Sequence, residues 1–512
     1  MKINQYYSAF ILSVLILTVS CETPPPDEKD NNSVESKQAT ADPKRTEGPY
    51  KPDPIDPNRT PNEGYRFDPV PTGDTVGNFK PNDPATRVRV QRISNDDLEI
   101  EKEKEEARQQ ASLEFKKYKN LDDAAKEAIT CCPEPSVAEN GQTILLSGNF
   151  WLSLSKDGGN TFDVKKTSSI FPTADKGFCC DQVLHYVKEI DMFILLYQTW
   201  RLDGTNTNRV RVAAATTEEV INSNATAWTF WDFPSSVIAD GSWLDFSDVA
   251  VGNNSLYFAT NSVGRGRVVC RLPLDQIQAK SSITYRYSPP LDNCGFSRIS
   301  QDTGDEAFWG GHDDNSTLRV YSWQEASTTI FWRRVKVNSW PNTPPYTAVC
   351  PDGVNWVKGN AQGFAWYGVA RDDDDIWVAW PAAAGGGFPQ THVRLAKVNT
   401  NTYTTVAEHQ IWNENFAFNY PNIATNREGE VGISIGFGGN TTMYGQHGVG
   451  VWGDYVIYTP KMADLCTERW GDYTTVRRGI SNTNQWVSSG YLNATNASGN
   501  IDPIPHYIRF GR

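Results

Sequence analysis

Phe150-Trp151-Leu152-Ser153-Leu154-Ser155-Lys156-Asp157-Gly158-Gly159-Asn160-Thr161-Phe162-Asp163-Val164 is the stretch on which the fold is decided. Apolar and small residues alternate up to Ser155, as in a strand with one buried face. Ser155 to Phe162 then holds two glycines, an Asp and an Asn, the chemistry of a tight turn. Asp157 is placed to accept from the turn amides, Gly159 to take a positive φ, and Phe162 to return an aromatic to the sheet. Strand, turn, strand is a β-hairpin.

Working outward, the hairpin belongs to a repeat. A short strand that precedes a turn and a more apolar strand recurs at Pro135-Ser136-Val137-Ala138, Asp181-Gln182-Val183-Leu184, Ser247-Asp248-Val249-Ala250, Ser297-Arg298-Ile299-Ser300, Pro421-Asn422-Ile423-Ala424 and Tyr473-Thr474-Thr475-Val476. A weaker copy lies at Tyr367-Gly368-Val369-Ala370. Spacings of about 45 to 65 residues suit four strands per unit, the period of a propeller blade. The expected fold is all-β, a six- or seven-bladed β-propeller over residues 131–512, with seven preferred. A large sandwich need show no such period, and a β-helix has a shorter one.

The turn Ser155-Lys156-Asp157-Gly158-Gly159-Asn160-Thr161-Phe162 resembles the Asp box (BNR repeat) of sialidase-like propellers, carried by Ser155, Asp157, Gly159, Thr161 and Phe162. Ser300-Gln301-Asp302-Thr303-Gly304 begins a second copy without the aromatic. The resemblance implies a fold, and a structural turn away from any active site. The sialidase set of an Arg triad, a Tyr nucleophile with a Glu, and an Asp acid has no matching motif. Phe296-Ser297-Arg298-Ile299-Ser300 has an insertion, lacks the expected Pro and sits mid-chain.

The start of the chain sets a compartment. Lys2, the apolar run Ala9 to Val19, Ser20 and then Cys21 form a secretory signal. A Cys directly after the cut resembles a bacterial lipoprotein signal, although Thr18 stands where Leu is usual. The alternative is an ordinary secretory signal that ends near a Cys. The lipoprotein reading implies acylation of Cys21, a membrane partner through that anchor, and location in the cell envelope, as an outer-membrane lipoprotein facing the surface or the periplasm. Residues 1–20 are then the signal.

Thirteen of the 30 Pro lie between Pro24 and Pro84, and all 17 Trp lie at or after Trp151. Residues 21–94 therefore read as a Pro-rich tether too poor in apolar residues to fold alone. As a coil it would span roughly 50 Å. Residues 95–130 are rich in Glu/Lys pairs at helical spacing and read as a short helical spacer.

Eight cysteines besides Cys21 suit disulfides in an oxidising compartment: Cys131, Cys132, Cys179, Cys180, Cys270, Cys294, Cys350 and Cys466. The pairs Cys131-Cys132 and Cys179-Cys180 could form two strained vicinal disulfides or staple one segment to the other; the staple is expected, because it avoids that strain. Zinc is the rival, but no His lies near at ligand spacing.

A net charge of −13 with no basic run excludes nucleic acid as a partner class. Ligands of propellers bind at the axial mouth. Asp181, Asp248, Asn422 and Asp472 recur near the start of their repeats and are the candidate binding groups, for Ca²⁺ or a polar ligand. Asp and Asn also simply favour such turns. Asp313, Asp314, Asp372 and Asp374 are candidate Ca²⁺ ligands in hairpin turns. His185 and His312 are the candidate general bases. No other cofactor is indicated. Trp200, Trp228, Trp231, Trp243, Trp309, Trp340 and Trp412 are candidates for a sugar platform or for filler between blades. Two functions follow: a tethered propeller that binds a glycan or a surface protein complex, and a sialidase-like glycosidase or polysaccharide lyase.

Overall fold

The computed structural model describes residues 113–121 and 134–512, apart from the loop stretches 172–174, 176, 202–204, 240, 292–293, 342–345, 361–364, 455, 459–462 and 497, together with five short strands between positions 34 and 71. Seven antiparallel sheets follow one another around an axis, so the chain is a seven-bladed β-propeller. Blade 1 runs through Ser136–Asn140, Thr143–Gly148, Trp151–Ser155 and Asp163–Lys166. The innermost strands of blades 2, 3, 5 and 6 are Val183–Val187, Leu244–Val251, Gly368–Asp372 and Ala417–Thr425. Blade 4 begins with a short bridge of Ile299 to Trp309. Six of the seven repeats read from the sequence lie in innermost strands, and the seventh, Ser297 to Ser300, holds the bridge that begins blade 4.

The core lies between blades. Its largest buried side chains are mostly indoles: Trp151, Trp309, Trp323, Trp340, Trp356, Trp366, Trp380, Trp470 and Trp486. Trp486 of blade 7 lies flat on blade 6 and donates to the Ala424 carbonyl at 2.9 Å. A Cβ at Gly432 would come within 2.4 Å of its Nε1, so only glycine permits that contact.

The hairpin read from Ser155 to Phe162 joins the third and fourth strands of blade 1. Asp157 Oδ1 accepts from the Asn160 and Thr161 amides at 3.0 Å each, and Ser155 Oγ accepts from Gly159 at 2.8 Å. The Thr161 hydroxyl, which donates to Asp157 Oδ2 at 2.6 Å, and next the Thr161 amide hold the Asp157 carboxyl well below the usual carboxylate range. Phe162 packs against Tyr507 of blade 7. The partial copy at Ser300 to Gly304 instead lies in the first hairpin of blade 4, with Asp302 at φ 54°.

Three expectations are corrected. Glu114–Asn120, inside the expected helical spacer, is a strand that pairs antiparallel with Ile501–Gly511 and completes blade 7. Its Leu113, Phe115 and Tyr118 join the cluster of Trp486, Ile508 and Phe510. An open edge on blade 7 provides hydrogen bonds that outweigh local helix propensity. The expected tether also contributes strands. Val34–Gln38 pairs with Thr284–Tyr287 of blade 3 and carries Lys44–Thr46 beside it. Pro52-Asp53, Tyr65-Arg66 and Pro69–Pro71 run parallel to the outer strands of blades 4, 5 and 6. Proline is tolerated there because an outermost strand needs only one bonded edge. The expected staple is absent: Cys179 bonds Cys180, and Cys350 bonds Cys466. Cys270 and Cys294, expected in bridges, are buried thiols. Cys21, Cys131 and Cys132 lie outside the described residues.

Ring closure through 114–120 yields a testable expectation. A chain starting at residue 122 loses the burial of Leu113, Phe115 and Tyr118, roughly 3–6 kcal/mol by area. Its melting temperature should fall clearly below that of a chain starting at residue 112. Equal melting temperatures would show that the strand does not close the ring.

Candidate functional site

The mouth, where the innermost strands begin, is built by one repeated backbone feature. Glu134, Asp181, Phe246, Phe296 and Tyr420 each stand two residues before the corresponding positions Ser136, Val183, Asp248, Arg298 and Asn422. All five have positive φ, between 42° and 60°. Bulky side chains rarely adopt that region, at a cost of about 1–3 kcal/mol each. Blades 5 and 7 send in Tyr367 and Tyr473. The result is two acids from blades 1 and 2 and five aromatics from blades 3 to 7. Phe246 lies at the centre, 5.7 Å from Phe296 and from Tyr473 and 6.2 Å from Tyr367. Tyr367 in turn meets Tyr420. The mouth is therefore plugged.

Beside the plug lies a carboxyl cluster. Oxygens of Glu134, Asp181 and Asp472 all lie within 4.8 Å of one another. Glu134 accepts from the Asp472 amide at 3.0 Å and from Asn149 Nδ2 at 2.9 Å. Asp181 accepts from the Phe246 amide at 3.0 Å and shares a hydrogen bond with Asp245. Asp472 pairs with Arg469 at 2.8 Å. Burial, and next the Asp472 charge, push the Glu134 carboxyl up to about 8. Burial and Asp245 push Asp181 up as well.

Of the four expected binding groups, the structure thus brings Asp181 and Asp472 together. Asp248 and Asn422 do other work. Asp248 Oδ2 accepts from the Ile299 amide at 2.9 Å and pairs with Arg298 at 3.2 Å. Asn422 Oδ1 accepts from the Val476 amide at 2.9 Å. Both pin one blade to the next.

Neither candidate base fits that role. His185 lies on the strand beyond the mouth, and burial and Arg477 hold it down to about 3. His312 is buried beside Trp380 and Trp340, with ring centroids at 4.8 and 5.1 Å. The hairpin acids are also engaged. Asp313 pairs with Arg319 and Arg334, Asp314 caps the Ser316 turn, and Asp372 pairs with Lys397. Among the described residues, Asp313, Asp314, Asp372 and Asp374 join no group of potential metal ligands.

Sequence reasoning missed Glu134, Asp245 and the aromatic ring. The position two before each blade's start would have linked Glu134 with Asp181, but only a known register exposes it. A buried chain from Ser434 Oγ to His447 Nε2 and from His447 Nδ1 to His506, 2.7 Å at each step, also went unread. Burial keeps both imidazoles neutral, and no solvent reaches them.

Of the candidate platform residues, Trp231, Trp309 and Trp340 are core. Trp228 donates to Ala225, and Trp412 packs edge-on to Phe388. Trp200 and Trp243 differ: both are half-buried and stacked, with centroids 6.3 Å apart at 29°, and the Arg201 guanidinium lies 5.8 Å from the Trp243 ring. They sit on the mouth face, since Gln198 donates to Asp245 at 2.9 Å two residues from each indole. The Cys179–Cys180 bond fixes the turn beneath: the Trp200 amide donates to Gly177, and Gln198 to Cys180 Sγ. Two grooves, of about 890 and 570 Å³, lie elsewhere, one at the opposite ends of blades 2 to 4 and one beside Cys350.

No protein-family model matches the chain, and no curated protein matches it. Solved structures do resemble it. The Dos1 propeller is 10% identical, with 77% of this chain and 95% of that chain covered and a TM-score of 0.39. The α-L-arabinofuranosidase Arb93A from Fusarium graminearum is 10% identical, with 74% and 92% covered and a TM-score of 0.34. The leech intramolecular trans-sialidase is 11% identical, with 67% and 69% covered and a TM-score of 0.37. At these identities the likeness is one of fold.

The Asp248–Arg298 pair offers a check on the pinning role. Asp248→Ala leaves the Arg298 charge buried and should cost about 3–5 kcal/mol. Asn422→Ala, which strands a neutral amide, should cost about 1–3 kcal/mol. Urea unfolding measures both, and near-zero values for both would assign these residues elsewhere.

Proposed function

We propose that this chain is a membrane-tethered, extracytoplasmic propeller that binds a glycan on its mouth face. The observation that carries the reading is the Trp200–Trp243 stack, with Arg201 over one ring and Asp245 two residues from it. Flat apolar faces next to polar groups suit sugar rings, whose C–H faces stack while hydroxyls take hydrogen bonds. The tether rests on the residues from Ala9 to Cys21, which lie outside the described region. Acyl chains on Cys21 would supply the apolar transfer energy for anchoring.

A second reading, a glycoside hydrolase or polysaccharide lyase, draws on the carboxyl cluster. A raised Glu134 beside another carboxyl is the pattern of an acid–base pair. Against it, Glu134 is 1% exposed and both its oxygens already accept hydrogen bonds. Binding without chemistry is therefore the stronger reading.

Trp200→Ala and Trp243→Ala should each weaken retention on immobilised polysaccharides at least about tenfold, the loss of one stacking face, while leaving the melting temperature nearly unchanged. Retention equal to that of the unaltered chain would remove the platform. Chromatography should recover the glycan intact, whereas cleavage that Glu134→Gln abolishes would put the hydrolase or lyase first. Cys21→Ser should move the chain from the membrane to the soluble fraction. If that variant stays membrane-bound in high salt, the lipid anchor is wrong.

A further inference from the structure

We propose that Glu134, Asp181 and Asp472 form a site for one divalent cation of the Ca²⁺ type, set at the mouth where blades 7, 1 and 2 meet. The inference is separate from glycan binding and survives its failure.

Two observations converge. The first is spacing. Oxygens around one Ca²⁺ lie about 2.3–2.6 Å from it, so opposed ligands stand no more than about 5 Å apart. One oxygen from each of the three carboxyl groups meets that limit, with every pair within 4.8 Å. The second is an unused polar group. The Tyr473 hydroxyl is buried, on a residue 2% exposed, and has no hydrogen-bond partner. Tyr473 directly follows Asp472, and its ring stands 5.7 Å from that of Phe246, whose amide donates to Asp181, so its hydroxyl lies beside the cluster. An oxygen there can bind the ion or hold one of its waters, which a closed hydrogen-bond network would not need.

The cluster is rich in carboxyl groups. Asp245 adds a fourth carboxyl through Asp181. Of the arginines nearby, Arg469 pairs with Asp472 of the cluster, Arg298 pairs with Asp248, and Arg267 donates to the Phe246 carbonyl at 2.5 Å. Buried carboxylates that cations balance only in part are costly. Hard oxygen donors without sulfur or imidazole favour Ca²⁺ over a transition metal.

The test uses the full chain stripped with EDTA. Calorimetric titration with Ca²⁺ should find one site per chain, and Ca²⁺ should raise the melting temperature by mass action. Tb³⁺ in place of Ca²⁺ should emit when excited through the neighbouring aromatic side chains, and Ca²⁺ should quench that emission by displacement. Glu134→Gln and Asp181→Asn should each weaken binding at least about tenfold, because charge count sets affinity in such sites. If either variant fails to fold, Asp472→Asn, at the part-exposed rim, carries the same expectation. A folded, unaltered chain that takes up neither Ca²⁺ nor Tb³⁺ at millimolar concentration overturns the proposal. So does binding that all three substitutions leave unchanged, since the ion then sits elsewhere.

Discussion

Around the axis of this ring, the innermost strands have no further strand to pair with on their inner side. Their amides would be left unbonded in a crowded, dry centre, at a cost near that of a lost hydrogen bond each. The chain solves this with side chains passed from one blade to the next. Ser136 Oγ accepts from Leu184, Asp248 from Ile299, and Asn422 from Val476. Thr475 donates to the Pro135 carbonyl, and Thr425 to that of Arg371. Two arginines cross the axis as well: Arg298 reaches Thr474, and Arg477 reaches Gln301 and Leu184. Blade spacing, and with it the width of the mouth, depends on this set of bonds.

That constraint also explains which acids are free to act. A carboxylate or amide that sits on the strand itself points at the neighbouring blade and is consumed there. One that sits two residues earlier, on backbone turned left-handed, points at the axis. Glu134 and Asp181 belong to the second kind, and Asp248 and Asn422 to the first.

This division marks how far the sequence can be read. The seven strand starts were legible because small and β-branched residues recur there at blade period. The Ser155–Phe162 hairpin was legible because Asp157, the glycines and Thr161 each have a local task. The sign of φ at Phe246 or Tyr420 was not legible, since no local preference places a bulky aromatic there. The Glu114–Asn120 strand was hidden for a related reason. Its Glu and Lys residues carry no strand signal, and only pairing with residues from the far end of the chain makes them one. The bond of Cys179 to Cys180 was one of two pairings open to the sequence, and the strain of joining chain neighbours favoured the other.

Blade 7 draws its outer strand from one end of the chain and its three inner strands from the other. The polypeptide therefore makes Glu114–Asn120 early and must hold it unpaired until Ile501–Gly511 has been produced. Blades 1 to 6 can form in order, each on the flank of the last, but a row of six leaves two apolar flanks and an idle strand in contact with water. Such long-range pairing is slow, and the waiting form is prone to aggregate. Newly made chains thus pass through an obligatory vulnerable stage, in which the last strand acts as the latch. A chaperone or protease that inspects this protein would find its target in that interval and little to grip afterwards.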